Sequence, residues 1–325
     1  MRSGDHEREL RHFRDSIESI KAQTDRDWIL ILVDDFSDNQ AVYDTIDEIK
    51  GDLGDRVHVL YSEKNQGPGA ARNRAIRYAG ELGAPFVLFL DSDDLADPRR
   101  LELVRAAFED ETVNVVYTSF DVIDENDNIV PDENILMAVR EIIEGYKLDP
   151  VEGENAWISI ATKKKYTNLT SCTAVRTSLA VREPFPVAFV SEDGHTWFRY
   201  GAYPGKFVFL RDIIGHYRIC SHVETRSRSA NVDFNEKMLE VDTAGFEEAV
   251  KLAKKYGTMG GRDENDIRTA SHVRLAMSLL HAEAEDCCKK SLEKALVISK
   301  EKTLEYIDQL PCMPEYKIRM RAMVP

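Results

Sequence analysis

Short strand-like segments alternate with helical patterns over the first 118 residues, and this alternation limits the fold more than any other feature of the chain. Trp28–Val33 is apolar at every position, which is typical of a strand buried on both faces of a parallel sheet. Pro68 and Pro98 stand where helices would begin. The order of strands and helices predicts an α/β fold with a Rossmann-like, mostly parallel central sheet and flanking helices. The predicted strands are Trp28–Val33, Arg56–Tyr61, Phe86–Leu90 and Val113–Tyr117.

The pattern changes twice further along the chain. Between about residues 119 and 230, short strand-like pieces are mixed with loops and helical stretches. Beyond Asn231, apolar residues recur at helical spacing, as in Phe234, Met238 and Val241. A length of 325 residues is typical of about two domains. We therefore expect a first domain over residues 1–230 and a helical appendage over residues 231–325.

Acidic residues follow two of the predicted strands. Asp34 and Asp35 come after the first strand, and Asp91-Ser92-Asp93-Asp94 comes after the third. Because ligands of open α/β sheets bind beyond the carboxyl ends of the strands, these side chains are candidates for a site. Clustered aspartates repel one another unless a cation neutralises them, and oxygen ligands favour Mg²⁺ or Mn²⁺. The structural alternative is a solvated acidic turn in which Asp94 or Asp97 caps the next helix.

Three motifs in this order resemble the family-2 glycosyltransferases of the GT-A fold. The first is Asp27–Asp38, which contains the apolar strand and the aspartate pair. The second is Asn65–Asn73, which has the form N-x-G-x-x-x-A-R-N, and the third is Phe89–Asp94. The resemblance extends over roughly residues 6–229. It implies the GT-A fold and transfer of a sugar from a nucleotide diphosphate donor.

The resemblance also implies roles for individual donor-side residues. Asp34 or Asp35 matches the position that contacts the nucleotide base, and UDP is the expected nucleotide. Asp93 matches the direct ligand of a Mn²⁺ or Mg²⁺ ion, and Asp91 matches a ribose or metal contact. The residues expected around the nucleotide are Asp34, Asp35, Gly67, Arg72, Asp91, Ser92 and Arg218.

An acidic pair further along the chain is similar to the acceptor side of the family. Glu192 and Asp193 precede an aromatic-rich stretch that ends at Arg199. An inverting transfer needs a base that removes the proton from the acceptor hydroxyl, and the resemblance implies Asp193 for this role with Glu192 beside it. The alternative is that both residues only begin a helix, where acidic side chains suit the helix dipole.

The segment His216–His222 is similar to a basic motif of the same family, although the serines that follow it are spaced further away here. In this comparison Arg218 would reach the diphosphate and His222 would complete the metal site together with Asp91 and Asp93. Imidazole is a suitable ligand for such an ion. A basic surface loop explains the same residues equally well.

The family normally opens with a strand of the type V-S-V-I-I-P-x-Y-N, whereas this sequence begins directly before its first helical pattern. A clipped sequence, a misplaced start codon and a genuine loss each explain this difference. The difference also supports a second hypothesis, that the chain is a non-catalytic GT-A-like protein that binds a nucleotide or acts as a scaffold. A sugar-phosphate nucleotidylyltransferase is a third option, but the glycine-rich opening loop of that family has no match here.

Composition limits the partners. The formal charge of -15 argues against a general nucleic-acid binder and against simple electrostatic docking on an anionic membrane. No signal sequence or membrane-spanning run is apparent, and the five cysteines show no metal-ligand spacing. We therefore expect a cytoplasmic protein, or one at the inner membrane face. The acceptor would be a saccharide, a lipid-linked molecule or a small molecule, and the C-terminal helices are candidates for forming a homo-oligomer.

Overall fold

A computed structural model describes residues 3–163, 168–219 and 233–325. The amino-terminal part alternates helices and strands as the sequence predicts. Its elements are α1 (Ser3–Lys21), β1 (Leu30–Asp34), α2 (Gln40–Leu53), β2 (Val57–Tyr61), α3 (Pro68–Glu81), β3 (Phe86–Leu88), α4 (Arg100–Ala107) and β4 (Val113–Ile123).

The remaining elements complete the sheets and form the helical region. The middle of the chain contains α5 (Met137–Leu148), α6 (Ala156–Thr162), β5 (Thr173–Arg176), α7 (Thr177–Arg182), α8 (Glu192–Ala202) and β6 (Lys206–Arg218). The carboxyl-terminal region contains α9 (Phe234–Tyr256), α10 (Glu264–His281), α11 (Glu285–Ile298), α12 (Lys300–Gln309) and α13 (Pro314–Ala322).

The strands form two sheets with mixed pairing. β1 and β2 pair in parallel, with Leu30 opposite Val57. The second sheet has the order β3-β5-β4-β6. In this sheet β5 is antiparallel to both β3 and β4, since Val175 lies opposite both Val87 and Val115. The expectation of a mostly parallel sheet is therefore corrected, because a late strand inserts antiparallel between two strands that precede it in the chain.

Two local features extend the sequence analysis. β4 continues through Ile123, beyond the end of the predicted strand Val113–Tyr117. Asn39 caps α2, because its side chain accepts a hydrogen bond from the backbone N–H of Ala41 at 3.0 Å. An asparagine satisfies a free N–H group at a helix start as well as an aspartate does.

The chain divides into two compact units that do not follow sequence order. The first contains the described residues within Met1–Ile135, Asn168–Asp193 and Phe207–Thr225. The second contains those within Leu136–Thr167, Gly194–Lys206 and Arg226–Pro325. The predicted appendage thus groups with two earlier segments of the chain. The expected domain boundary at residue 230 stays a prediction.

Each unit has its own apolar core. In the first unit, Val104 and Phe108 of α4 pack with Val116 and Ala174 of the larger sheet, while Ile17 of α1 and its neighbours pack beneath the smaller one. In the second unit, α10 is buried along nearly its whole length. A helix that is covered on all sides is the centre of a helical core. None of the helices within the described ranges is both long and apolar enough to span a membrane.

Candidate active site

The aspartate pair after β1 is held by backbone N–H groups. Asp34 is buried, and its carboxylate accepts a hydrogen bond from the N–H of Ser37 at 3.2 Å. The Asp35 carboxylate accepts hydrogen bonds from the N–H groups of Gln66 at 3.1 Å and Gly67 at 2.7 Å. Asp35 therefore ties the end of β1 to the glycine-bearing loop. The predicted contact of either carboxylate with a nucleotide base stays a prediction.

The glycine-bearing loop lies against the residues that precede α8. Gly67 has φ 85°, which favours glycine, and a Cβ atom there would lie 3.0 Å from the Phe189 ring. At Gly69, a Cβ atom would lie 2.4 Å from the carbonyl oxygen of Pro186. The two glycines thus allow one protein segment to pack closely on another. The absence of a side chain would equally allow a ligand to approach the backbone closely.

Arg72 joins the donor-side and acceptor-side acidic residues. Its Nη1 donates to Glu192 Oε1 at 2.7 Å, and its Nη2 donates to Asp91 Oδ1 at 2.9 Å. Burial alone would lower the pKa of the Arg72 guanidinium, but the charges of Asp91 and Glu192 outweigh burial and raise that pKa. Two residues that the sequence assigned to different halves of the site therefore share one cation.

Glu192 is buried at the first turn of α8. Burial, and then the charge of Asp193, raises the pKa of Glu192 to about 7, although the nearby Arg72 guanidinium opposes this rise. Asp193 is only partly buried at the next position of the helix. The two carboxylates predicted for the acceptor side thus have different environments on one helical turn.

The acidic stretch after β3 carries three carboxylates close to one another. Asp94 is buried, and burial together with the charges of Asp93 and Asp91 raises its pKa well above the ordinary value. The N–H of Arg218 donates to Asp94 Oδ1 at 2.8 Å. Ser92 is exposed. Within residues 3–163, 168–219 and 233–325, no three histidine, cysteine or acidic side chains converge as a metal cage.

Arg218 is buried and hydrogen-bonds to two loops, one at Asp93 and one at Asp124. Its side chain is fully buried, with Nε donating to the carbonyl of Asp93 at 2.7 Å and Nη1 to that of Asp124 at 2.8 Å. Nη1 also pairs with Asp127 Oδ1 at 2.6 Å. Arg218 therefore fixes the acidic stretch, and its predicted contact with a diphosphate stays a prediction. The predicted metal ligand His222 lies outside the described residues.

Tyr217 is a member of the site to which sequence reasoning gave no role. Burial, followed by the charges of Asp94, Asp93, Asp91 and Asp193, raises the pKa of the Tyr217 phenol. The charges of the acidic stretch and of Asp193 therefore all disfavour ionisation of this phenol. Tyr217 lies within the basic motif His216–His222, but nothing in its spacing distinguishes it from an ordinary aromatic residue of the sheet.

Comparison with known proteins identifies the family that the motifs resemble. Residues 9–168 match the family described as Glycosyl transferase family 2. An uncharacterized glycosyltransferase of Methanocaldococcus jannaschii is 33% identical over 121 residues, which are 37% of this chain and 40% of the relative. The putative teichuronic acid biosynthesis glycosyltransferase TuaG of Bacillus subtilis is 36% identical over 28% of this chain and 34% of its own length.

Solved structures share the fold over most of the chain. Staphylococcus aureus TarS 1–349 in complex with UDP-GlcNAc has a TM-score of 0.52 at 18% identity, covering 93% of this chain and 90% of that one. Mannosyltransferase PcManGT of Pyrobaculum calidifontis, in complex with GDP-Man and Mn²⁺, has a TM-score of 0.52 at 16% identity. The two structures superpose over 96% of this chain and 75% of PcManGT.

The likeness to these structures shows the GT-A fold. The motifs and the match over residues 9–168 identify the chain as a family-2-like glycosyltransferase. The matches span between 34% and 40% of the lengths of the first three curated relatives. The family and the fold expected from the sequence are thus confirmed.

Proposed function

We propose that this chain transfers a sugar from a nucleotide diphosphate donor, UDP-linked, to an acceptor hydroxyl with inversion at the sugar carbon. The observation that supports this most is that Arg72 donates hydrogen bonds to both Asp91 after β3 and Glu192 at the start of α8, in a chain whose residues 9–168 match family 2. One side chain thus joins the donor-side acidic stretch to the acceptor-side acidic pair. A TarS structure that contains UDP-GlcNAc shares the fold, which supports UDP as the nucleotide.

The acidic stretch suits a divalent cation. Asp91 and Asp93 add to the rise of the pKa of Asp94, and such mutual repulsion is relieved when a cation binds. Mg²⁺ and similar ions take one or two protein carboxylates and complete their shell with substrate phosphates, so a three-residue cage is not required. Asp93 and Asp91 would hold Mn²⁺ or Mg²⁺, and the fold neighbour PcManGT was solved with Mn²⁺. When bound, the ion would stabilise negative charge on the diphosphate.

Asp193 is the residue that we assign as the base. Glu192 is buried and forms an ion pair with Arg72, whereas Asp193 is only partly buried on the same turn. The acceptor oxygen would form the new bond to the sugar carbon while the bond to the diphosphate oxygen breaks, and Asp193 would take the hydroxyl proton. The acceptor is a saccharide, a lipid-linked molecule or a small molecule. A relative from Escherichia coli is named for a diphosphoundecaprenol acceptor.

Calorimetric titration with UDP in the presence of Mn²⁺ tests the proposed donor site. We expect wild-type protein to bind UDP only when Mn²⁺ is present, and we expect Asp93→Ala to weaken binding by about tenfold or more, because a charged ligand of the ion is lost. Asp55→Asn is the control, since Asp55 is an exposed carboxylate at the opposite end of β2. Wild-type protein that gives no heat, or equal binding by Asp93→Ala, contradicts the proposal.

A donor-hydrolysis assay separates the enzyme from the non-catalytic alternative. A transferase that holds UDP-sugar without an acceptor releases free sugar slowly, with water in place of the acceptor hydroxyl. We expect this release to require Mn²⁺ and to be lost in Asp193→Asn. Nucleotide binding without any release would favour a binding or scaffold protein.

A further inference from the structure

The segment Phe185–Glu192 directly precedes Asp193, the proposed base. The Asn65–Asn73 motif contacts this segment. The motif contacts it at four positions, which are Gly67, Gly69, Arg72 and Asn73. In a phosphate-binding loop, by contrast, the glycines and the cation would face a ligand. The contacts of this motif therefore point to a second protein segment.

Asn73 makes the most specific of these contacts. Its Nδ2 donates to the carbonyl of Phe185 at 2.8 Å, and its Oδ1 accepts from the N–H of the same residue at 2.8 Å. The pair is buried, so its hydrogen bonds have no competition from water. One side chain of α3 thus fixes both polar groups of a residue 112 positions further along the chain.

Arg72 makes the contact at the other end of the segment. Its side chain is 12% exposed and that of Glu192 is 10% exposed, so the 2.7 Å ion pair between them is largely removed from solvent. The second guanidinium nitrogen is committed to Asp91. Arg72 therefore faces protein carboxylates with both of its Nη groups. The Glu192 end of the segment is joined by charge, and the Phe185 end by paired hydrogen bonds.

Two of the residues between these anchors are exposed to solvent. Val187 is 68% exposed and Phe189 is 53% exposed, although the edge of the Phe189 ring lies on Gly67. Ser191, the last residue before α8, has φ 57°, a conformation that side chains with a Cβ atom rarely adopt. Strained residues of this kind persist where surrounding contacts fix the backbone. The segment is thus held in one conformation up to the start of the helix that carries Asp193.

We propose that the Asn65–Asn73 motif is a dock for the acceptor-side segment. Arg72, which acts through Glu192, and Asn73, which acts through Phe185, are then positioning residues rather than donor contacts. The effect on reaction rate that we expect from this dock rests on the proposed function. The dock reassigns Arg72 from the nucleotide to the placement of Asp193. Correct placement of a reacting group contributes strongly to rate, and a displacement of about 1 Å costs roughly a hundredfold.

Amide hydrogen exchange across residues 185–192 tests the dock directly. We expect exchange in this segment to become about tenfold faster or more in Asn73→Ala, because the buried polar groups of Phe185 lose their partners. Arg72→Met should have a similar effect, and Arg72→Lys a smaller one, because lysine keeps the charge but not the forked geometry. Arg77→Met is the control, since Arg77 is exposed on the same helix.

Donor binding and turnover separate a positioning role from a donor contact. We expect the affinity for UDP with Mn²⁺ to stay within about twofold of wild type in Asn73→Ala, because Asn73 binds Phe185. In the same variant we expect kcat for hydrolysis of UDP-glucose or UDP-N-acetylglucosamine to fall about tenfold or more at unchanged KM. Partial recovery of kcat in Arg72→Lys relative to Arg72→Met would agree with positioning.

The two proposals fail in different ways. If wild-type protein neither binds UDP nor hydrolyses a donor, the proposed function fails, while the exchange measurement still decides the dock. Unchanged exchange over residues 185–192 in both Asn73→Ala and Arg72→Met overturns the dock. A large loss of UDP affinity in Arg72→Lys, with exchange as in wild type, returns Arg72 to the donor. If Arg72→Met does not fold, Asn73→Ala and Arg72→Lys carry the test.

Discussion

Phe36 is a bulky residue in a left-handed conformation at the end of β1. It has φ 74° and is 55% exposed, and the carboxylates of its neighbours Asp34 and Asp35 hold the backbone on either side. A side chain with a Cβ atom costs about 1–2 kcal/mol there, whereas asparagine tolerates this region. We expect Phe36→Asn to raise the free energy of unfolding by about 1 kcal/mol in urea titrations. Phe36→Ala keeps the strain, so an equal gain in that variant would contradict this explanation.

Glu192 gives the first unit a stability that depends on pH. Its pKa is raised to about 7 in the folded protein, mainly by burial, from an ordinary value near 4.5. The folded state therefore binds the proton more tightly than the unfolded state. Stability from this group is complete below about pH 4.5 and is lost as pH rises towards 7. Because each pKa unit is worth about 1.4 kcal/mol, the loss amounts to at most about 3 kcal/mol.

A comparison with Glu192→Gln isolates this contribution. The glutamine cannot ionise, so the difference in unfolding free energy between the wild type and the variant should shift in favour of the variant between about pH 5 and pH 7.5. Other carboxylates such as Asp94 remain in both proteins and cancel in the difference. A difference that stays constant over this range would show that Glu192 titrates normally.

The position of the acidic residues after β3 was predictable from the sequence, but their partners were not. Asp91 and Asp93 follow a strand whose apolar run is visible, so their place at the sheet edge follows from local pattern. The pairing of Arg72 with Glu192 joins residues 120 positions apart. Such a contact depends on how distant segments pack, and the spacing of residue types carries no information about it.

Two glycines on neighbouring helices respond to the same substitution in opposite ways. Gly51, near the end of α2, has nothing within 4 Å of a new Cβ atom, so Gly51→Ala should stabilise the protein by about 0.5–1 kcal/mol. Gly69, in the first turn of α3, would bring a Cβ atom to 2.4 Å from the carbonyl oxygen of Pro186. We expect Gly69→Ala to destabilise by about 1–3 kcal/mol, as overpacking does. Equal melting temperatures for the two variants would show that the segment at Pro186 yields freely.

At the level of elements, the strands were easier to predict than their pairing. β1, β2 and β3 each begin within two residues of the position expected from the sequence. The antiparallel insertion of β5 was missed because Thr173–Arg176 is short and follows a long irregular stretch. A strand of this length carries little periodic signal, so only tertiary packing selects its neighbours.

At the level of the whole molecule, sequence order and spatial order differ. The helices after residue 233 were visible from helical spacing, and α10 is the most deeply covered of those described. Their grouping with residues 136–163 and 194–206 was not visible. Gly245 of α9 shows the physical reason, since a Cβ atom there would lie 2.6 Å from the Cα atom of His195. Close backbone approach of this kind joins segments that no local pattern connects.

The proposed site lies within the first unit, and ligand binding there should raise the stability of the folded chain by mass action. UDP with Mn²⁺ at a hundred times the dissociation constant would contribute about 2.7 kcal/mol, provided that the unfolded chain does not bind it. For a chain of 325 residues, with an unfolding entropy of about 2.1 cal/mol/K per residue, we expect the melting temperature to rise by roughly 4 °C in scanning calorimetry.

Chelation and a single substitution distinguish this rise from a general effect of salt or nucleotide. EDTA should abolish the shift in wild-type protein, and Asp93→Ala should show little shift at the same ligand concentrations, because in the proposed site the ion would join protein carboxylates to phosphates. Asp55→Asn should melt as wild type does in each condition. A shift of equal size with UDP alone and with UDP plus Mn²⁺ would mean that this chain binds the nucleotide without help from the acidic stretch after β3.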